Sequence, residues 1–168
     1  LFTMIRDSFP GLDILINNAG TGIFGPVDTF SAEDFSQVMD VNVRGTFLCC
    51  KEALHIMKPL NRGYIINIAS VVGIKGYPNQ SAYTASKHGI MGFTKAISAE
   101  TAGSGIRISA VLPGGVDTEM AASARPDLKG EKLLEPGDIA ETVLFLLSLP
   151  EHAAIDQIYI RRASSRSF

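Results

Sequence analysis

Tyr83 and Lys87 stand four residues apart in Tyr83-Thr84-Ala85-Ser86-Lys87, and Ser70 lies thirteen residues before the tyrosine. Side chains at the Tyr–Lys spacing share one face of a helix. An ammonium beside a phenol stabilises the phenolate and lowers the tyrosine pKa toward working pH. Such a pair is a proton donor and acceptor suited to carbonyl and alcohol chemistry. Many solvated helix faces carry the same spacing, so the pair alone decides little. Its neighbours along the chain give it meaning.

Those neighbours come in order. Asn17-Asn18-Ala19-Gly20 follows the apolar run 12–16, and Asn42 sits in Met39-Asp40-Val41-Asn42-Val43. Ser70 closes the run 64–69, and Pro113-Gly114-Gly115-Val116-Asp117-Thr118 follows the run 106–112. An Asn within a helical run is disfavoured, because its side chain competes for backbone groups. Gly20 would let the backbone approach a ligand.

The elements that must position these residues alternate. Leu12–Asn17, Gly63–Ser70, Ile106–Leu112 and Ile155–Ile160 read as strands. Ser31 is a plausible N-cap for a helical pattern that runs to Pro59, with Asp34 at the capping-box position. Ser81 to about Ala102 reads as a helix ended by Gly103-Ser104-Gly105, and Pro136-Gly137-Asp138 starts another over Ile139–Leu149. Four buried strands separated by helices predict an α/β fold, a parallel sheet with helices on both faces. In an open sheet of this kind ligands bind beyond the carboxyl ends of the strands. Asn17–Gly20, Ser70 and Pro113–Thr118 all fall at such ends, so three strands deliver them to one crevice.

Composition narrows the class. The 168 residues suffice for one domain, with 46% hydrophobic and 19% charged residues. A net charge of −2 without a basic run gives no case for nucleic acid as a partner. No apolar run approaches the ~20 residues that span a bilayer, so no membrane partner is expected. Cys49 and Cys50 are adjacent, and a disulfide between them would be strained. They read as small apolar residues of a packed helix, and the reducing cytoplasm is the expected location. His55, His88 and His152 lack shared spacing and read as surface or packing residues, so no metal is expected.

The five motifs in this order resemble the short-chain dehydrogenase/reductase family, in particular its branch around the 3-oxoacyl-carrier-protein reductases. The resemblance covers nearly all of the chain to about residue 150. It implies a Rossmann-like fold, NAD or NADP as cofactor, and hydride transfer between a small-molecule carbonyl and alcohol. It makes Tyr83 the general acid/base and gives Lys87 the nicotinamide ribose as well as the phenol. Ser70 donates to the substrate oxygen, where negative charge develops. Asn42 either holds a water in a proton relay from the lysine or fixes a helix irregularity. Asn18, Ala19 and Gly20 line the cofactor groove, and Asn17 ties strands together. Pro113 and Gly114 form the turn that follows. The Val116 backbone meets the carboxamide, and Thr118 reaches the carboxamide or a phosphate, or else N-caps a short helix. Stretches 71–77 and 120–134 are the expected substrate walls.

The family opens with a strand and a TGxxxGxG turn at a helix N-terminus, which binds the cofactor pyrophosphate. The 168 residues hold no such segment. The resemblance thus implies the C-terminal two-thirds of a Rossmann-like domain, lacking the first strands, with 161–168 as a frayed tail. It also implies a homo-oligomer through helices over 42–57 and 81–102. The alternative expectation is a truncated subunit, catalytically incompetent, that only folds and oligomerises.

Overall fold

The computed structural model describes residues 1–165. Helix α1 (Phe2–Ser8) leads into strand β1 (Ile14–Asn17). Helix α2 (Ala32–Met39) passes through a π-helical turn (Asp40–Arg44) into α3 (Gly45–Leu60) and β2 (Gly63–Ile68). Then come α4 (Ser81–Glu100), β3 (Ile106–Pro113), the short α5 (Glu119–Ala124), α6 (Pro136–Ser148) and β4 (Gln157–Ile160). Ser31 caps α2, its hydroxyl accepting from the Asp34 N–H at 2.9 Å.

All strand pairings are parallel and the order is β1-β2-β3-β4. Side chains alternate across β2. Ile65 enters the core beneath α3 and α4 with Cys50, Ala53, Met57 and Ile97. Tyr64 and Ile66 point to the other face and meet Val143 and Leu146 of α6. Helices therefore cover both faces, as the apolar runs predict. Strand β1 pairs with β2 alone and forms an edge, leaving Ile14 and Ile16 each 43% exposed.

The turn from α4 to β3 needs glycine at 105. Its φ is +73°, and a Cβ there would collide with the Asn61 carbonyl. Three backbone carbonyls at the end of α6, those of Leu149, Pro150 and Ala153, accept from the Arg107 guanidinium. That guanidinium also lies 4.3 Å from the Tyr64 ring centre. These contacts fix the approach to β4. Among the described residues no helix is long and apolar enough to cross a membrane.

Arg162 is not loose: its guanidinium donates to Glu131 at 3.2 Å, and Ser165 hydrogen-bonds back to its carbonyl. The expected frayed tail is thus held to Ser165, and its last residues, 166–168, lie outside the described residues.

Candidate active site

Ser70 follows β2 and leaves it in an extended conformation; Tyr83 and Lys87 stand on α4. Asn18 and Gly20 follow β1, and Gly114, Val116 and Thr118 follow β3. All of these line one cavity of about 860 Å³. The parallel register puts the carboxyl ends of the three strands side by side, which explains the convergence. Pro113, the last residue of β3, lines it too. Ala19 and Asn17 are not among the lining residues. Asn17 instead donates to the Asn67 carbonyl oxygen at 2.8 Å and ties β1 to β2.

The Ser70 hydroxyl lies near enough to the Tyr83 phenol to draw its pKa down. It also donates to the Pro113 carbonyl at 3.4 Å and accepts from the Val72 N–H at 3.3 Å. Phe24 meets the Tyr83 ring edge-on, with centres 5.6 Å apart. Lys87 is 5% exposed and its Nζ lies 5.7 Å from the centre of the Tyr83 ring. That Nζ donates to the Ile68 carbonyl at 3.0 Å. Burial pushes the ammonium pKa down to about 8.

Burial also pushes the Tyr83 pKa up, and the nearby Ser70 hydroxyl only partly opposes this. The direction is opposite to that expected from a tyrosine beside a lysine. Loss of water is the dominant cause, and the Lys87 ammonium 5.7 Å from the ring centre does not offset it. In this state the phenol is a proton donor across neutral pH.

Asn42 lies at the centre of the π-helical turn and is fully buried. Its Oδ1 accepts from the Thr21 N–H at 2.8 Å, and its Nδ2 donates to the Thr21 carbonyl and the Ser86 hydroxyl at 2.9 Å each. Thr46 donates to the Asn42 carbonyl at 2.7 Å. The side chain thus clamps the segment after Gly20 to α4. Ser86 carries no sequence signal for this role beyond its place beside Lys87. Thr118 N-caps α5, accepting from the Ala121 N–H at 3.2 Å, while it lines the cavity. Both readings of Thr118 are compatible.

Stretch 71–77 contributes Val71, Val72 and Tyr77 to the cavity, and 120–134 contributes Met120, Ala121, Ala124, Arg125 and Leu128. Phe24, Gln80 and the α6 face of Ile139, Val143 and Leu147 also line it and were not anticipated. Their signals are faint: an isolated aromatic in a loop, and a helix whose apolar stripe serves core and cavity together. Cys50 is buried, its thiol pushed up to about 12 by desolvation, as befits a packing residue.

The residues fit a nicotinamide dinucleotide on two counts. A Cβ at position 20 would come within 3.4 Å of Asn42 Oδ1 and 3.7 Å of Lys87 Nζ, so glycine opens the wall there. The buried ammonium donates to Ile68 alone among the described residues, leaving donors for ribose hydroxyls.

The family model for short chain dehydrogenases matches residues 1–129. The chain belongs to the short chain dehydrogenase family. The chain is 35% identical over 161 residues to a protein of Staphylococcus aureus (strain MRSA252) described as an uncharacterized oxidoreductase. The match covers 96% of this chain and 69% of that one. A 3beta-hydroxysteroid dehydrogenase of Mediterraneibacter gnavus is 38% identical over 130 residues, covering 77% of this chain and 47% of the relative. Among solved structures, the closed form of a serine dehydrogenase complexed with NADP+ superposes with a TM-score of 0.91 at 26% identity. It covers 99% of this chain and 73% of that one. A levodione reductase superposes at 0.85 with 32% identity, covering 95% and 69%. The parallel sheet with its flanking helices is thus the Rossmann-like fold of this family.

Proposed function

We propose that this short-chain dehydrogenase interconverts a carbonyl and an alcohol with NAD or NADP. The observation that carries the reading is that Ser70, Tyr83 and Lys87 line one cavity, with the buried Lys87 ammonium 5.7 Å from the Tyr83 ring centre. The dinucleotide, when bound, supplies or accepts the hydride. Asn18 and Gly20 would hold it on one side, and Pro113, Gly114, Val116 and Thr118 on the other. Lys87 would bind its ribose. A structurally similar serine dehydrogenase is complexed with NADP+ and a structurally similar ElxO has NADP bound, which supports a nicotinamide dinucleotide here.

In reduction, the substrate oxygen sits between the Ser70 and Tyr83 hydroxyls. Ser70 donates to it as negative charge develops. Tyr83 transfers its proton to that oxygen, and the Lys87 ammonium stabilises the phenolate left behind. In oxidation Tyr83 takes the proton back. The raised phenol pKa favours the acid role near neutrality. Asn42 keeps the Gly20–Thr21 wall and α4 in register. The test is Tyr83→Phe. Cofactor binding should survive, followed by NADPH fluorescence, while turnover falls ~10²–10⁴-fold. Retention of more than about a tenth of wild-type turnover would rule out the role.

The proposal extends to assembly and setting. α3 and α4 would pair with those of a second copy, and reduced Cys49 and Cys50 suit the cytoplasm. A second reading rests on the exposed β1 edge. Under it, the 168-residue chain folds and associates but holds the dinucleotide weakly, because it contains no glycine-rich turn for the pyrophosphate. Low-micromolar NADPH binding by this chain would reject that reading.

A further inference from the structure

We propose that Arg125 makes the cavity selective for an amphiphilic carboxylate: an apolar oxo or hydroxy compound whose acid group lies distal to the reacting carbon. The inference rests on the reading of Ser70, Tyr83 and Lys87 as the reacting end. Tyr83 and Arg125 line the same cavity, whose walls include Phe24, Val72, Met120 and Leu128. Among the described residues no aspartate, glutamate or histidine lines it, and the charged residues that do are Lys87 and Arg125, both cations. Lys87 is occupied beside Tyr83. Arg125 is therefore the charge offered to the rest of a ligand, within otherwise apolar walls where a charge-assisted bond is strong.

The guanidinium is held in place before any ligand arrives. Its Nε and Nη2 donate to the Asp127 carboxylate at 2.8 and 2.7 Å. Its centre lies 4.6 Å from the Tyr77 ring centre. The Arg125 side chain is 30% exposed and that of Asp127 60%, so the carboxylate faces solvent while the cation borders the cavity. A guanidinium carries five N–H donors. Asp127 takes two, and the remainder are free to meet a ligand carboxylate. Fixing the fork beforehand removes most of the ordering cost of binding.

The experiment is ligand-observed saturation-transfer NMR on this chain with octanoate and octan-1-ol as probes. Wild type should bind both. Arg125→Met should weaken octanoate about tenfold or more, the worth of a hydrogen bond to a charged group, and leave octan-1-ol within about twofold. Arg125→Gln should behave the same way and guards against a folding fault peculiar to one variant. Octanoate binding unchanged in both variants, or lost together with octan-1-ol in both, overturns the proposal. So does a wild type that binds neither probe. None of these outcomes touches the Tyr83 reading, which Tyr83→Phe and NADPH turnover decide separately.

Discussion

Keeping the Lys87 ammonium almost out of water costs free energy wherever it is charged. Its pKa falls from 10.5 to about 8 in the folded chain. Below pH 8 both folded and unfolded chains carry the proton, and the cost is fully present. Between pH 8 and 10.5 the unfolded chain holds more protons, so this group's contribution to stability rises with pH. The shift corresponds to about 3 kcal/mol. Tyr83 and Cys50, whose pKa values are raised, pull the other way at higher pH, so the lysine is isolated by difference. Urea denaturation of wild type and Lys87→Met across this range should show the wild type gaining on the variant by up to that amount. Parallel curves would mean that the ammonium is solvated.

At the scale of elements, the π-helical turn between α2 and α3 places a polar side chain where an α-helix would bury an apolar one. The turn opens the backbone ladder at Asn42, and Thr46 takes up the carbonyl. Helices α3 and α4 also settle which apolar residues remain for a partner. Ile90 and Ile97 are buried in the chain's own core and leave no surface for a partner. Leu54 and Phe93 pack partly against that core. Phe47 and Leu48 stay about half exposed, with Phe47 edge-on to Phe93 at 6.0 Å. An interface through these helices therefore turns on Phe47. Phe47→Asp should convert a dimer or larger assembly to monomer in sedimentation velocity, with little change in helix content. A wild-type chain that sediments as a monomer at micromolar concentration would refute the pairing.

At the scale of the molecule, the sheet stops at β1. One face of that strand joins the core through Leu15, while Ile14 and Ile16 are open. On the same side of the sheet as Val143, Leu144 and Phe145 of α6 are about half exposed. Unpaired strand groups beside apolar side chains invite pairing with other chains. The 168-residue chain should thus aggregate more readily than its composition suggests. Ile14→Lys should slow that aggregation, measured by light scattering at fixed concentration, without lowering stability by more than about 0.5 kcal/mol, as expected of an exposed site. If Ile14→Lys aggregates at the wild-type rate, β1 is not the edge responsible.

Much of this protein was legible in the amino-acid order. The four strands, the two-sided helical cover and the positions of Ser70, Tyr83 and Lys87 followed from apolar runs, turn residues and one helical spacing, because these are local properties of the chain. The convergence of Asn18, Ser70 and Thr118 was also predictable, since parallel strands present their carboxyl ends together. The pKa directions were not. Whether a lysine lowers a neighbouring phenol depends on how much water each group has lost, and burial is a sum over distant segments. The same limit hid Phe24 against Tyr83, the Asn42–Ser86 bond and the placing of Arg125 on the cavity. Each joins residues far apart in the chain, and only the packing of one element on another sets the distance between them.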